Sequence, residues 1–318
     1  MKIEMFIKNS KTDFEYNVSD IISGVTIFSQ LSGRAGSISF NMLKNVSGIN
    51  INCGAYIKLL IDGKGRFYGR IEQIASSEKD LLSIKAYDGL VFFKNNDIFV
   101  FSDKTCDEIF TTLCAAVKLP CKVVSKSDYK LEPKIYDNKS MFEMLNDSID
   151  LTLANSGKWF VVRDNFGTLE HTELSALRSD IVIGENSLLT NYNITESISK
   201  SYNTVKLTQE NELLNTRTTV VEKDNETIKE WGIRQYFESV SALLNKAQIE
   251  KEAQGLLEIY NVKTKNVTLN CLGNLDVFAG CSVYINLEEQ NLKQFAVVET
   301  CEHSLKNDMH NMKLRLLI

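Results

Sequence analysis

The residues in this chain best suited to metal binding or nucleophilic chemistry are three histidines and seven cysteines. The tightest grouping is Cys301-x-His303, with His310 seven positions later. Alternation along a strand would put Cys301 and His303 on one face. Structural zinc sites take four ligands, and no second cluster accompanies these residues. Cys106 falls at the start of a helical pattern, where the dipole lowers a thiol pKa, but Asp107 and Glu108 follow it and act the other way. Cys53, Cys106, Cys114, Cys121, Cys271, Cys281 and Cys301 are dispersed without a CxxC pair, so reduced, buried thiols are expected rather than a disulfide framework. No catalytic, cofactor-binding or metal site is expected, and the group of Cys301, His303 and His310 is the one left for a structure to decide.

The 41 acidic residues make paired carboxylates unavoidable. Glycoside hydrolysis needs two carboxyl groups across a sugar cleft. Asp107, Glu108 and Glu143 sit in first helical turns, and Asp62 and Asp164 in tight turns, where capping and turn chemistry account for them. The only tryptophans, Trp159 and Trp231, are far apart in sequence. Gly63-Lys64-Gly65 precedes a strand rather than a helix, which makes it a turn and not a phosphate loop.

The elements that must position these residues are mostly strands. Lys2 to Ile7, Ser37 to Met42, Tyr56 to Ile61, Arg66 to Ile71 and Leu81 to Tyr87 alternate or run apolar between turns, which predicts a small barrel or sandwich over residues 1–90. Residues 91–184 change texture. Thr105 with Glu108 and Ser140 with Glu143 are capping boxes, each followed by an apolar stripe. Lys158 to Arg163, Asp164-Asn165-Phe166-Gly167 and Thr168 to His171 then read as a hairpin. From residue 185 to 318 strands resume: Asn203 to Thr208, Val267 to Leu272, Ser282 to Ile285, Phe295 to Val298 and Met312 to Leu316. A polar stretch over 209–230 and a helix near 241–260 interrupt them, with Ile249, Ala253, Leu256 and Tyr260 as the helix's apolar face.

Composition bounds the function from outside. At 318 residues, 43% hydrophobic and 24% charged, the chain has material for two or three folded units. A net charge of −5 without a basic stripe argues against nucleic-acid binding, though it permits a surface past which DNA slides. The alternating N-terminus is no signal peptide, and no window holds the roughly 18 apolar residues of a membrane span. Synthesis and folding in a cytoplasm are expected.

One likeness joins the two ends. Gly54-Ala55-Tyr56-Ile57-Lys58-Leu59 is similar to Gly280-Cys281-Ser282-Val283-Tyr284-Ile285. Phe67 with Ile71-Glu72 matches Phe295 with Val298-Glu299, and closing strands follow at Leu82 to Ala86 and Met312 to Leu316. This pattern predicts an internal duplication.

The order and spacing of several segments resemble the phage tail baseplate hub family, the contractile-tail hubs of Gram-positive prophages and the late control gene D-like proteins. The defective, bacteriocin-like Bacillus prophage particle carries one such protein. The segments are Ile183 to Thr190, Ser201 to Leu207, Glu230-Trp231-Gly232-Ile233-Arg234-Gln235-Tyr236, Gly255-Leu256-Leu257, Leu272-Gly273-Asn274 and Ala279 to Val283, with Asp164 to Gly167 also similar. The resemblance implies a β-rich α+β fold: two related small β-barrel domains, an α+β domain between them, and a helical insertion around 209–260 in the second. It implies a homotrimeric ring joining a six-fold tail tube to a three-fold spike, in contact with other baseplate subunits, with DNA passing through the channel unbound. No enzyme activity, cofactor or membrane insertion is implied. A tail-associated peptidoglycan hydrolase and the base of a type VI-like secretion spike are the alternative readings.

Overall fold

The computed structural model describes residues 1–318 except 13, 77, 79, 212–215, 242–243 and 308. The chain is mostly β and divides into two units, Met1–Tyr192 with Thr268–Ile318, and Asn193–Val267.

The first unit begins with β1 (Ile3–Lys8), β2 (Glu15–Asn17), β3 (Ile22–Gln30), β4 (Ser37–Leu43), β5 (Tyr56–Ile61), β6 (Lys64–Ser76) and β7 (Leu81–Tyr87). They pair antiparallel in the order β3-β4-β7-β6-β5-β1-β2. Period-two alternation selects the inner face. Ile57, Leu59 and Ile61 of β5 are buried with Met5 and Ile7 of β1 and Ile38 and Phe40 of β4. Each such side chain contributes about 1.5–3 kcal/mol.

Next come β8 (Asn96–Phe101), α1 (Cys106–Ala116), β9 (Cys121–Val123), β10 (Lys134–Ser140), α2 (Met141–Ser156), β11 (Phe160–Asn165) and β12 (Thr168–Glu173). Both expected capping boxes form, Thr105 with Glu108 and Ser140 with Glu143. The two helices enclose Phe93, Phe101, Phe110, Leu113, Met144, Leu145 and Phe160. The expected hairpin is β11–β12, and β9 adds to β12 in parallel. β13 (Arg178–Gly184) and β14 (Leu189–Ser197) follow.

The second unit is a three-stranded sheet under one helix. Its elements are β15 (Thr204–Asn211), β16 (Thr216–Lys223), α3 (Asn225–Trp231), β17 (Gln235–Ser239) and α4 (Lys246–Tyr260), with sheet order β16-β15-β17. The polar stretch over 209–230 holds the end of β15, all of β16 and most of α3. Residues 212–215 of it lie outside the described residues. Of β16's side chains only Val220 is fully buried, so the strand carries almost no apolar signal. The expected helix near 241–260 starts at Lys246, capped by Asn245, and residues 242–243 lie outside the described ones. Ile249 and Ala253 of its expected apolar face pack on Val205, Leu207 and Val220. Tyr260 ends the helix against Tyr236, ring centroids 4.9 Å apart.

The chain closes with β18 (Thr264–Leu272), β19 (Ser282–Leu287), β20 (Leu292–Lys306) and β21 (Met309–Leu317). β20 is far longer than the expected strand at Phe295 to Val298. Up to Val297 it pairs with β19, and from Thr300 it pairs with β3. One strand thus splices the closing strands onto the opening ones in a single sheet.

The likeness of the two ends is geometric. Gly54 N–H donates to Ile71 O (2.7 Å) and Ile71 N–H to Ala55 O (2.9 Å); Gly280 N–H donates to Val298 O (2.8 Å) and Val298 N–H to Cys281 O (2.9 Å). Ile71 faces Ala86 and Ile74 faces Ile84, with a bulge between Ile71 and Gln73. Likewise Val298 faces Leu316 and Cys301 faces Leu314, with a bulge between Val298 and Thr300. Phe295 corresponds to Tyr68, not Phe67, since each lies three residues before its clamped partner, Val298 or Ile71. Phe67 is buried whereas Phe295 is exposed.

Gly54 and Gly280 have φ of +88° and +93°, a region that costs an L-residue about 1–2 kcal/mol. A Cβ on Gly280 would also stand 2.6 Å from Val161 Cγ1, while one on Gly54 meets nothing closer than Ser10 Oγ at 3.8 Å. Gly280→Ala is therefore expected to destabilise more than Gly54→Ala, by about a further 1–3 kcal/mol of overpacking, read from urea midpoints. Equal midpoint shifts would contradict this.

Candidate functional site

The structure brings Cys301, His303 and His310 together, as strand alternation suggested. His303 Nε2 lies 2.8 Å from Val277 O, which only accepts, so Nε2 carries the proton. His303 Nδ1 is then bare and accepts from His310 Nε2–H at 3.1 Å. The Cys301 thiol lies 3.2 Å from His303 Nε2 and donates toward Val277 O at 3.5 Å. Both nitrogens of His303 are engaged within the protein, and the three residues form a relay that ends on a backbone carbonyl. Among the described residues no group of three His, Cys, Asp or Glu is placed to hold a metal ion. Burial pushes the Cys301 thiol up and His303 down to about 4, with His310 and Arg66 adding to the latter.

A second pair was not visible from the sequence. His171 lies 3.4 Å from Cys106 Sγ through Nε2, and its Nδ1–H donates to Ser125 O at 3.0 Å. The imidazole stacks between Phe160 and Phe110, with centroids 4.7 and 5.6 Å away. A Cys–His nucleophile works as thiolate and imidazolium in an accessible cleft. Here both residues are fully buried. Burial raises the thiol and lowers the imidazole, which keeps the proton on sulfur. Asp107, beside them, accepts from Ser127 N–H at 3.0 Å and from the Thr105 hydroxyl at 2.7 Å.

Among the carboxylates, Asp164 sits in its turn as expected, accepting from Gly167 N–H at 2.5 Å. It also lies beside Asp88, 76 positions away in the chain, a proximity that no local spacing signals. Asp88 accepts from Gly36 N–H (2.9 Å) and Leu90 N–H (3.0 Å), and Asp164 also accepts from Gly89 N–H (2.8 Å). Each of the four carboxyl oxygens thus takes one backbone N–H. Burial raises both carboxyl pKa values, and the neighbouring Asp164 raises Asp88 further. The pair anchors three chain segments: the approach to β4, the 3-10 turn at Gly89–Lys94, and the β11–β12 hairpin. Glu108 and Glu143 serve their caps, and Asp62 accepts from Lys2 N–H at 2.7 Å. Lys64 and Gly65 open β6 directly after the turn. Trp159 belongs to the first unit and Trp231 to the second.

The family segments beginning at Ser201 and Glu230 meet in the second unit. Asn203 donates its side-chain amide to Gly232 O (2.8 Å) and accepts from Arg234 N–H (2.9 Å). Arg234 reaches back to Ser201 O at 3.0 Å.

A family model described as YQBQ-like matches residues 25–317. The chain is similar to YqbQ of Bacillus subtilis strain 168, at 26% identity over 79% of this chain and 77% of that protein. It is also similar to the phage-like element PBSX protein XkdQ of the same strain, at 24% identity over 79% and 78%. Its fold is similar to that of the 43 kDa tail protein of prophage MuSo2 from Shewanella oneidensis, with a TM-score of 0.73 at 14% identity over 99% and 98% of the two chains.

Two measurements follow from these environments. With a thiol reagent, exposed Cys53 is expected to react at once and part-buried Cys121 more slowly, while Cys106, Cys114, Cys271, Cys281 and Cys301 react only in denaturant. Rapid labelling of Cys106 would contradict its placement. Because folding depresses the His303 pKa from 6.5 to about 4, the unfolded chain takes up the proton first as pH falls. The stability this histidine preserves is whole above pH 6.5 and is lost on descent toward pH 4, on the order of 3 kcal/mol. His303→Gln should lessen that acid-side loss in urea titrations at pH 4.5 and 7.5, taken as about those values. An unchanged slope would contradict it.

Proposed function

The chain belongs to the YQBQ-like family, and on that premise we propose that it is a structural subunit of a phage tail or tail-like particle, the central hub of a contractile baseplate. Three copies close a ring between a six-fold tail tube and a three-fold spike, touching other baseplate subunits and leaving a channel for DNA. The observation that carries this reading is the repeat of β5–β6–β7 in β19–β20–β21, down to the glycine clamp and the bulge. Two similar units per chain in a three-fold ring make six similar positions, which reconciles the two symmetries. In this reading residues 1–90 and 185–318 are two related β-barrel domains, 91–184 is the α+β domain between them, and 209–260 is the helical insertion. The chain is made in the bacterial host and resides in the particle, whether infectious phage or bacteriocin-like. Among the described residues, no helix is long and apolar enough to cross a membrane.

A non-enzymatic role is supported by the three places where chemistry was conceivable. Cys106 with His171, Cys301 with His303, and Asp88 with Asp164 all spend their hydrogen-bonding capacity on the protein itself. Light scattering after size exclusion, alone and with the spike protein, tests the proposal. A species of three times the protomer mass is expected, with no clearing of peptidoglycan in a zymogram. A monomer under both conditions, or clearing abolished by one carboxylate substitution, would overturn it.

A further inference from the structure

On the first unit a cavity of about 240 Å³ opens between β5, β6 and the end of α1. Tyr56, Tyr68, Tyr87 and Phe92 wall it, and Arg70 and Lys118 supply its positive charge. The Arg70 guanidinium lies 4.3 Å from the Tyr56 ring centroid and 5.7 Å from that of Phe92. Among the described residues it donates one hydrogen bond, to the Tyr56 hydroxyl. Rings against the guanidinium fix its orientation, and the remaining N–H donors lie in its plane, the geometry that grips a carboxylate with two parallel bonds. Among the described residues no carboxylate reaches it. Arg66, Arg163 and Arg217, by contrast, are each held by an acid: Asp276, Glu170 and Glu210.

Lys118 adds a second observation. It follows α1 with φ of +55°, and Leu119 N–H closes onto Cys114 O (3.0 Å), the helix-ending position that glycine usually fills. A lysine there accepts backbone strain and places an exposed ammonium at the cavity rim, and no described acid pairs with it. Asp88 and Asp164 also border the cavity, but their four oxygens each take a backbone N–H, which leaves Arg70 and Lys118 as the charges open to a ligand.

We propose that this cavity is a docking site for an acidic peptide segment of a partner protein, an aspartate or glutamate carboxylate seating on Arg70 and Lys118 and the next apolar or aromatic side chain lying on Tyr68 and Tyr87. The site stands on the cavity's own chemistry and does not depend on the hub assignment. The probe is acetyl-Glu-Phe-amide, titrated into the full-length protein by saturation-transfer NMR, with acetyl-Gln-Phe-amide and inorganic phosphate as controls. The glutamate peptide should saturate with a Kd on the order of 1 mM and the glutamine peptide should bind roughly tenfold more weakly. Arg70→Met should lose about tenfold and Lys118→Met about threefold, the latter on an exposed rim where folding is not at stake. Equal binding of the two peptides, tighter binding of phosphate than of the glutamate peptide, or unchanged affinity in both variants would overturn the proposal.

Discussion

A β-strand alternates its side chains strictly, so a strand that must serve two differently facing surfaces has to gain one residue somewhere along its length. β20 does this between Val298 and Thr300. Before the bulge Ala296 and Val298 are buried; after it, Cys301, His303 and Leu305 are. That one-residue change lets a single strand pair with β19 in its first part and with β3 in its second. β6 makes the same change between Ile71 and Gln73. In both strands the glycine clamp closes on the last residue before the bulge, Ile71 or Val298, and so fixes where the bulge falls. Without it the inner face of the second part would turn outward, and the Cys301–His303 relay would have no place to form.

The buried polar groups follow from the same economy. Unpaired, a buried polar group costs about 1–3 kcal/mol, and the buried Asp88–Asp164 pair, His171 and His303 are each bonded to backbone at a point where segments meet. Asp88 and Asp164 tie a loop, a 3-10 turn and a hairpin, while His171 reaches the stretch between β9 and β10, and His303 the loop before β19. Their displaced pKa values record desolvation at structural junctions. Perturbed titration, which often marks catalysis, here marks places where strands and loops are fastened.

Local rules were readable in the sequence. Alternation identified β5, β7 and β19, two capping boxes identified α1 and α2, and Asp164 to Gly167 identified the hairpin turn. The glycine pairing of Gly54 with Gly280 was visible too. What escaped was non-local or half-apolar. β16 hides almost only Val220, and β8 and β10 leave Ile98, Val100 and Ile135 exposed, so neither the strand nor the ribbon declares a buried face. Residue type matches Phe295 to Phe67, but strand register equates it with Tyr68, since Lys58 pairs with Tyr68 as Tyr284 pairs with Phe295. Pairs such as Cys106 with His171 and Asp88 with Asp164 are set by the meeting of distant elements. Sequence spacing contains nothing of that meeting.

In the proposed assembly, two copies of one hairpin unit in a single chain serve a ring with three-fold chains and six-fold positions. Electron cryo-microscopy of the assembled particle tests it most directly. Three copies of the chain around the tail axis are expected, with β5–β7 and β19–β21 alternating at six equivalent radii. Six copies, one copy, or a position away from the axis would contradict it.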